Sequence, residues 1–288
     1  MRVESLVALV SGGASGLGAG VVRRLAMNGA KVLVADLNGD AAKALSKELG
    51  PNVVGCAADI TSEADVNAAL DLAHTSFGDA IGACVHTAGT LHAGKIVNKK
   101  GAALPLEPFE NGVQCQWNFP CMTCSQASIR SLMQADSISR VAVLKVNILG
   151  SFNVARLAAA RMATRDPGEN GERGVIVQTA SIAAFDGQAG QIAYSASKGA
   201  IVGMTLPMAR DLAPIGIRVA TIAPGIFETP MMSAAPGSVR ESLAAQIPFP
   251  SRFGDPDEFA AFCEHIISNS YINGETFRLD AAVRMGAS

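Results

Sequence analysis

Three features of the sequence predict an α/β protein in which one domain is built around a doubly wound parallel sheet. Short apolar runs alternate with segments of helical period along most of the chain, the rhythm of strands joined by crossover helices. A glycine-rich turn, Gly12-Gly13-Ala14-Ser15-Gly16-Leu17-Gly18, follows the first apolar run and opens the first helix. Hydrophobic residues make up 49% of the 288-residue chain and aromatic residues only 5%, so the core must be packed mainly from Ala, Val, Ile and Leu. The length suits one such domain, residues 1–288.

Taken in order, residues 6–10 read as a first strand and Gly16 to Met27 as the helix behind the glycine turn. Lys31 to Ala35 and Val53 to Ala57 are the next strands, and Thr61-Ser62-Glu63 starts a helix with a capping hydroxyl. Ile81 to Val85 is the fourth strand, and a long helix is expected from Val143 to about Arg165. The fifth strand, 174–178, leads into a helix carrying Tyr194, in which Pro207 predicts a kink or break. Strands at 217–221 and 276–279 close the pattern.

Residues 111–141 interrupt it. They hold Cys115, Cys121, Cys124 and the single tryptophan, Trp117, without helical or alternating period. Cys121-Met122-Thr123-Cys124 is a CxxC, but zinc needs about four ligands and neither a second CxxC nor a nearby histidine supplies them. A surface insertion is the better reading.

A net charge of −2 gives no electrostatic reason to expect direct contact with nucleic acid or an anionic membrane. Lys95, Lys99 and Lys100 read as a solvated loop. No apolar run approaches the roughly 18 residues of a membrane span. The first strand begins so early that no cleavable presequence is expected ahead of it in this sequence. Six cysteines do not form a disulfide scaffold, which points to a reducing compartment and buried or idle thiols.

The chemistry is carried by two motifs. The glycine turn lies between a strand and a helix, and Asp36 stands at the end of the following strand. Backbone amides at a helix N-terminus suit a pyrophosphate, and an acid at that place suits ribose hydroxyls. Leu37 behind Asp36, with no basic residue at Ser15, favours NAD over NADP. The second motif is Tyr194-Ser195-Ala196-Ser197-Lys198, which puts a phenol and an ammonium on one helix face. A phenol exchanges protons poorly near neutral pH unless a cation favours its anion, so the pair suggests proton transfer to or from an alcohol. Ser181, at the end of the fifth strand, can hold the alcohol oxygen. His86, behind a buried-type strand, reads as packed or hydrogen-bonded, and no carboxylate cluster completes a metal site with His92.

These residues resemble the short-chain dehydrogenase/reductase family, over nearly the whole chain except the insertion. Ser11 to Gly18 matches its TGxxxGxG, with serine for threonine, and the resemblance implies a Rossmann fold. His86-Thr87-Ala88-Gly89 stands where the family usually has NNAG, which puts the bracing role of that first asparagine in question. Asn147, Ser181, Tyr194 and Lys198 match the family's catalytic tetrad. Ala223-Pro224-Gly225 and Thr229 match its nicotinamide-facing segment.

Segments 180–188, 206–214 and 248–252 resemble the branch that oxidises short and branched 3-hydroxyacyl-CoA esters with NAD, and that also accepts hydroxysteroids. The resemblance implies cofactor contacts at Ser11, Gly12, Ser15, Gly16, Leu17, Gly18, Asp36, Asp59, Ile60, Thr87, Ala88, Gly89, Tyr194, Lys198, Pro224, Gly225, Phe227 and Thr229. It further implies substrate contacts at Ser181, Gln188 and Tyr194, a substrate loop at about 230–250, a homotetramer, and a mitochondrial or else cytoplasmic location. Two alternatives stay open. One is a hydroxysteroid or other secondary-alcohol dehydrogenase, and the other is the non-catalytic scaffold role that animal members play in mitochondrial tRNA processing. The insertion departs from the family, as a translated intron, a gene-model error or a lineage-specific loop, and it stands just ahead of the Asn147 helix.

Overall fold

The computed structural model describes residues 1–91, 143–168, 170–233 and 236–287. The expectations for 111–141, for His92 and for Lys95, Lys99 and Lys100 lie outside the described residues.

Among the described residues seven parallel strands form one sheet in the order β3-β2-β1-β4-β5-β6-β7. They are β1 (Val7–Ser11), β2 (Lys31–Asp36), β3 (Val53–Ala57), β4 (Ala83–His86), β5 (Gly174–Thr179), β6 (Ile217–Pro224) and β7 (Thr276–Leu279). Every residue of β1, β4, β5 and β6 is buried, as central strands covered on both faces require. One apolar cluster packs on each face. Ala8, Val10, Val32 and Val34 point to the face covered by α1 (Gly16–Met27). Val7, Leu9 and Leu33 alternate with them and point to the face covered by α3 (Glu63–Phe77) and α4 (Ser151–Met162). Further helices among the described residues include α2 (Gly39–Leu49), α5 (Ile192–Leu212), α6 (Gly237–Ala244) and α7 (Pro256–Ser268). Ser62 caps α3 by accepting from Asp65 N at 3.2 Å, as the sequence predicts.

Several strands run one or more residues past their apolar pattern. β1 reaches Ser11, β2 Asp36, β4 His86 and β5 Thr179. The hydrophobic pattern reports only the core, whereas the backbone ladder continues into the polar C-terminal edge. In an open α/β sheet ligands bind outside that edge where the strand order reverses, here between β1 and β4.

Two helices differ from expectation. The one expected from Val143 opens with a π-helical turn, Lys145–Gly150, before continuing as α4. Pro207 does not break α5, which is continuous from Ile192 to Leu212. A proline removes one backbone bond, and buried Ile201, Thr205 and Ala209 hold the helix to the sheet on either side of the loss. The loop at about 230–250 contains a helical turn, Pro230–Ser233, and α6.

Candidate active site

The glycine turn is shaped by backbone crowding. Gly12 has φ 68°, and a Cβ there would come within 2.6 Å of Ala88 N. A Cβ on Gly18 would collide with the Gly12 carbonyl oxygen and lie 2.6 Å from Thr87 Oγ1. Gly16 also has positive φ, 52°. The chain therefore turns tightly enough for the first amides of α1 to face the C-terminal edge of the sheet, and Ser15 makes no side-chain cap that would cover them. Leu17 packs against the core from the first turn of α1. Thr87 fastens the turn from the neighbouring strand end: its N donates to Ser11 O at 3.0 Å, and its Oγ1 lies 2.8 Å from Ser11 O and 3.2 Å from Gly12 O.

Asp36 accepts from Ala14 N at 3.0 Å and from Asn38 N at 2.9 Å, one amide on each carboxylate oxygen. Each oxygen keeps a second lone pair for a hydroxyl donor. Asp59 accepts from Thr61 N and Thr61 Oγ1, both at 2.8 Å. Ile60 is buried beside Gly150, and its carbonyl accepts from Asn153 at 2.9 Å. Across the cleft, Pro224 ends β6, and Gly225 N donates to Leu279 O at 2.9 Å. Phe227 is buried edge-on against Phe259, 6.1 Å between centroids. Thr229 faces Gly16, 3.4 Å from where a Cβ would be.

The catalytic candidates meet around Gly89. A Cβ on that glycine would lie 3.3 Å from Asn147 Oδ1 and 3.4 Å from Lys198 Nζ, so the two side chains close tightly over it. Asn147, 1% exposed, accepts from Thr90 N and donates to Thr90 O, both at 2.8 Å, and also donates to Ser197 Oγ at 2.9 Å. Lys198 Nζ donates to Thr179 O at 2.9 Å and lies 5.8 Å from the centroid of the half-buried Tyr194 ring. Ser181 caps a 3-10 turn, Ile182–Ala184, accepting from Ala183 N at 3.1 Å. Gln188 is paired with Gln191, which accepts from its backbone N at 3.2 Å.

Burial sets the electrostatics. Desolvation lowers the Lys198 ammonium pKa to about 8. His86 is held at about 3, first by desolvation and then by the Lys198 charge, so it is a neutral, hydrogen-bonded imidazole. Burial raises the Cys84 thiol to about 12 and pushes Cys263 up as well. Among the described residues no three His, Cys, Asp or Glu side chains gather as a metal site would require, and no helix is long and apolar enough to cross a membrane.

The structure thus brings Asn147, Tyr194 and Lys198 together with Gly89, and places the glycine turn beside them. Sequence reasoning missed Thr90, Ser151 and Ser197, the partners that fix Asn147. Only Ser197 carried a usable signal, being one helical turn after Tyr194 on the motif's own helix.

Comparison with known proteins agrees with this geometry. A family model described as short chain dehydrogenase matches residues 6–139 and 127–238. The 3-hydroxyacyl-CoA dehydrogenase type-2 of Bos taurus is 48% identical over 284 residues, covering 98% of this chain and 97% of the relative. The crystal structure of 3-hydroxyacyl-CoA dehydrogenase type-2 from Mycobacterium avium superposes with a TM-score of 0.83 at 38% identity over 100% of both chains. A 3-ketoacyl-(acyl-carrier-protein) reductase from Brucella melitensis, complexed with NADH, gives 0.74 at 26% identity, covering 98% of this chain and 100% of that one.

Proposed function

The chain belongs to the short-chain dehydrogenase family, an oxidoreductase that uses a nicotinamide cofactor, and from that premise we propose that it oxidises the 3-hydroxyl of short or branched 3-hydroxyacyl-CoA esters reversibly with NAD. The observation that carries the reading is the convergence of Asn147 and Lys198 on Gly89, beside Tyr194 and the glycine turn. The substrate class is supported by the relative from Bos taurus, 48% identical over almost the whole chain.

The residues present fit a dinucleotide. The Gly12–Gly18 turn admits no Cβ at either glycine and opens onto the N-terminus of α1, where a pyrophosphate would sit beside Ser15, Gly16 and Leu17. Asp36 would hold ribose hydroxyls through its remaining lone pairs, and Asp59, Ile60, Thr87, Ala88 and Gly89 would make further contacts with the cofactor. Ser11 and Gly12 start the turn, and Pro224, Gly225, Phe227 and Thr229 would line the nicotinamide side. Bound there, the nicotinamide supplies the hydride acceptor in oxidation and the donor in reduction.

The protein's own share is proton management. Tyr194 takes the hydroxyl proton of the substrate on its phenol oxygen in oxidation and returns it in reduction. The Lys198 ammonium, anchored on Thr179 O and 5.8 Å from the centroid of the Tyr194 ring, would stabilise negative charge on that oxygen and hold the nicotinamide ribose. Ser181 accepts from Ala183 N, so its own hydrogen can be given to the substrate oxygen. Asn147 supports a proton path from Lys198 towards solvent, and Gln188 borders the substrate.

A homotetramer and a mitochondrial location complete the proposal. Assembly is supported by exposed Leu149 and Phe152 on the Asn147 helix and by exposed Ile192 and Leu206 on α5.

NADH consumption tests the reading. Acetoacetyl-CoA should be reduced faster than a 17-ketosteroid, and the reverse order would favour a steroid dehydrogenase. Tyr194→Phe should lower kcat by about a thousandfold or more while NADH still binds, since the phenol acts on the proton and not on the dinucleotide. Retained turnover in that variant would refute the assigned role.

A further inference from the structure

The His86 ring bridges two hydroxyls that belong to different sides of the site. It lies at the C-terminal end of β4 and is 1% exposed. Its Nδ1 is 2.6 Å from Ser11 Oγ on β1, and its Nε2 is 2.7 Å from Ser151 Oγ at the start of α4. Ser151 Oγ also lies 2.6 Å from the carbonyl oxygen of Asn147. That carbonyl can only accept, and two oxygens at this separation repel unless a hydrogen lies between them. The single hydroxyl hydrogen of Ser151 is therefore given to Asn147. Ser151 must then accept from the ring, so Nε2 carries the proton. Nδ1 keeps its lone pair and accepts from Ser11. An imidazolium would turn Nδ1 into a second donor and add a cation beside Lys198, the charged group that faces it, in a region closed to water.

We infer that this one-directional chain makes His86 a positioning residue for the reaction proposed above, on which reading the inference rests. The chain runs from Ser11 Oγ–H to Nδ1, from Nε2–H to Ser151 Oγ, and from Ser151 Oγ–H to the Asn147 carbonyl. The residue acts by holding the π-helical turn at its Asn147 carbonyl. That turn presents the Asn147 amide to Thr90 and Ser197, and Ser197 Oγ donates to the Tyr194 carbonyl at 2.8 Å. At the other end, Ser11 is where β1 enters the glycine turn, and its carbonyl is held by Thr87. One neutral imidazole thus ties the cofactor-side strand to the helix that displays the catalytic asparagine. Because every donor in the chain has an acceptor, reversing any one bond would leave a buried group unpaired.

The test combines kinetics with a direct reading of the ring. His86→Phe keeps a flat ring and removes both nitrogens. It should lower kcat roughly ten- to a hundredfold, the effect of misplacing a catalytic group without removing it. The dissociation constant for NADH should stay within about twofold. Ser151→Ala should give a similar loss, and the double variant should lose no more than either alone. His86→Gln, which offers both an N–H and a carbonyl oxygen, should recover part of kcat. Additive losses, or a lowered thermal midpoint with kcat unchanged, would overturn the positioning role.

Since His86→Phe could fold poorly, nitrogen-15 NMR of the unsubstituted protein gives an independent readout. His86 is assigned there by elimination through substitutions at His74, His92 and His265. A protonated Nε2 and a bare Nδ1, unchanged from about pH 5 to 8, are expected. A ring protonated at Nδ1, or one that titrates in that interval, would overturn the hydrogen-bond chain whatever the kinetics show. A protein that holds this tautomer yet turns over no secondary alcohol would sink the dehydrogenase reading, and the positioning role with it.

Discussion

The glycine turn and the Asn147–Tyr194–Lys198 cluster share one edge of the sheet, yet they are built by opposite means. The turn is a backbone construction: Gly12 and Gly18 are fixed because a Cβ would strike Ala88 or Gly12 itself, and Asp36 and Thr87 fasten it through main-chain groups. The cluster is a side-chain construction. Asn147 comes from a π-helical turn, Thr90 from the segment after β4, and Ser197 and Lys198 from α5. Sterically it asks only for a tight fit over Gly89, 3.3 Å and 3.4 Å from where a Cβ would be. The cradle should therefore fail by collision, whereas the cluster should fail by losing a partner or a charge.

The largest effect expected from this contrast is at Gly18. Gly18→Ala should destabilise the protein by about 3 kcal/mol or more, because the new methyl meets backbone rather than a movable side chain. Urea unfolding measures it, and a variant of native stability that still binds NADH would break the steric account. On the cluster side, Lys198→Met should lower kcat by about a hundredfold or more. Its thermal midpoint should hold or rise, because burial disfavours the ammonium that the substitution removes. The folded pKa of about 8 lies below the ordinary lysine value of 10.5, so the unfolded chain binds more protons between those values. Unfolding free energy should therefore rise with pH across that window, and Lys198→Met should abolish the rise.

His86 gives a test of the same sign at lower pH. Its folded pKa of about 3 lies below the ordinary histidine value of 6.5, so only the unfolded chain takes up the proton as pH falls between them. Stability should drop over that range, and His86→Asn should show a shallower drop, by about one proton in the slope of unfolding free energy against pH. An unchanged slope would mean that the ring is already charged in the folded state. The smallest effect concerns backbone conformation away from both regions. Ala281, at φ 48°, occupies the left-handed region without being glycine. Ala281→Gly should stabilise by about 0.5 kcal/mol, as relief of the Cβ strain exceeds the added chain entropy. A calorimetric midpoint that falls would reverse that balance.

By itself the sequence determined the parallel α/β fold, the order of its elements and the glycine turn, because apolar period and glycine steric demand act over a few neighbouring residues. It also marked Tyr194 and Lys198, which are one helical turn apart and need no tertiary contact to share a face. It could not show that the strands continue over Ser11 and His86, since the apolar pattern ends where the core ends. Nor could it show that α5 survives Pro207, where packing on either side outweighs one missing backbone bond. Only the tertiary structure decided that Thr90, Ser151 and Ser197 serve Asn147 and that His86 joins Ser11 to Ser151. Those bonds link residues as far as 75 positions apart in the chain, and no local preference records which polar groups will meet once the sheet and helices close over them.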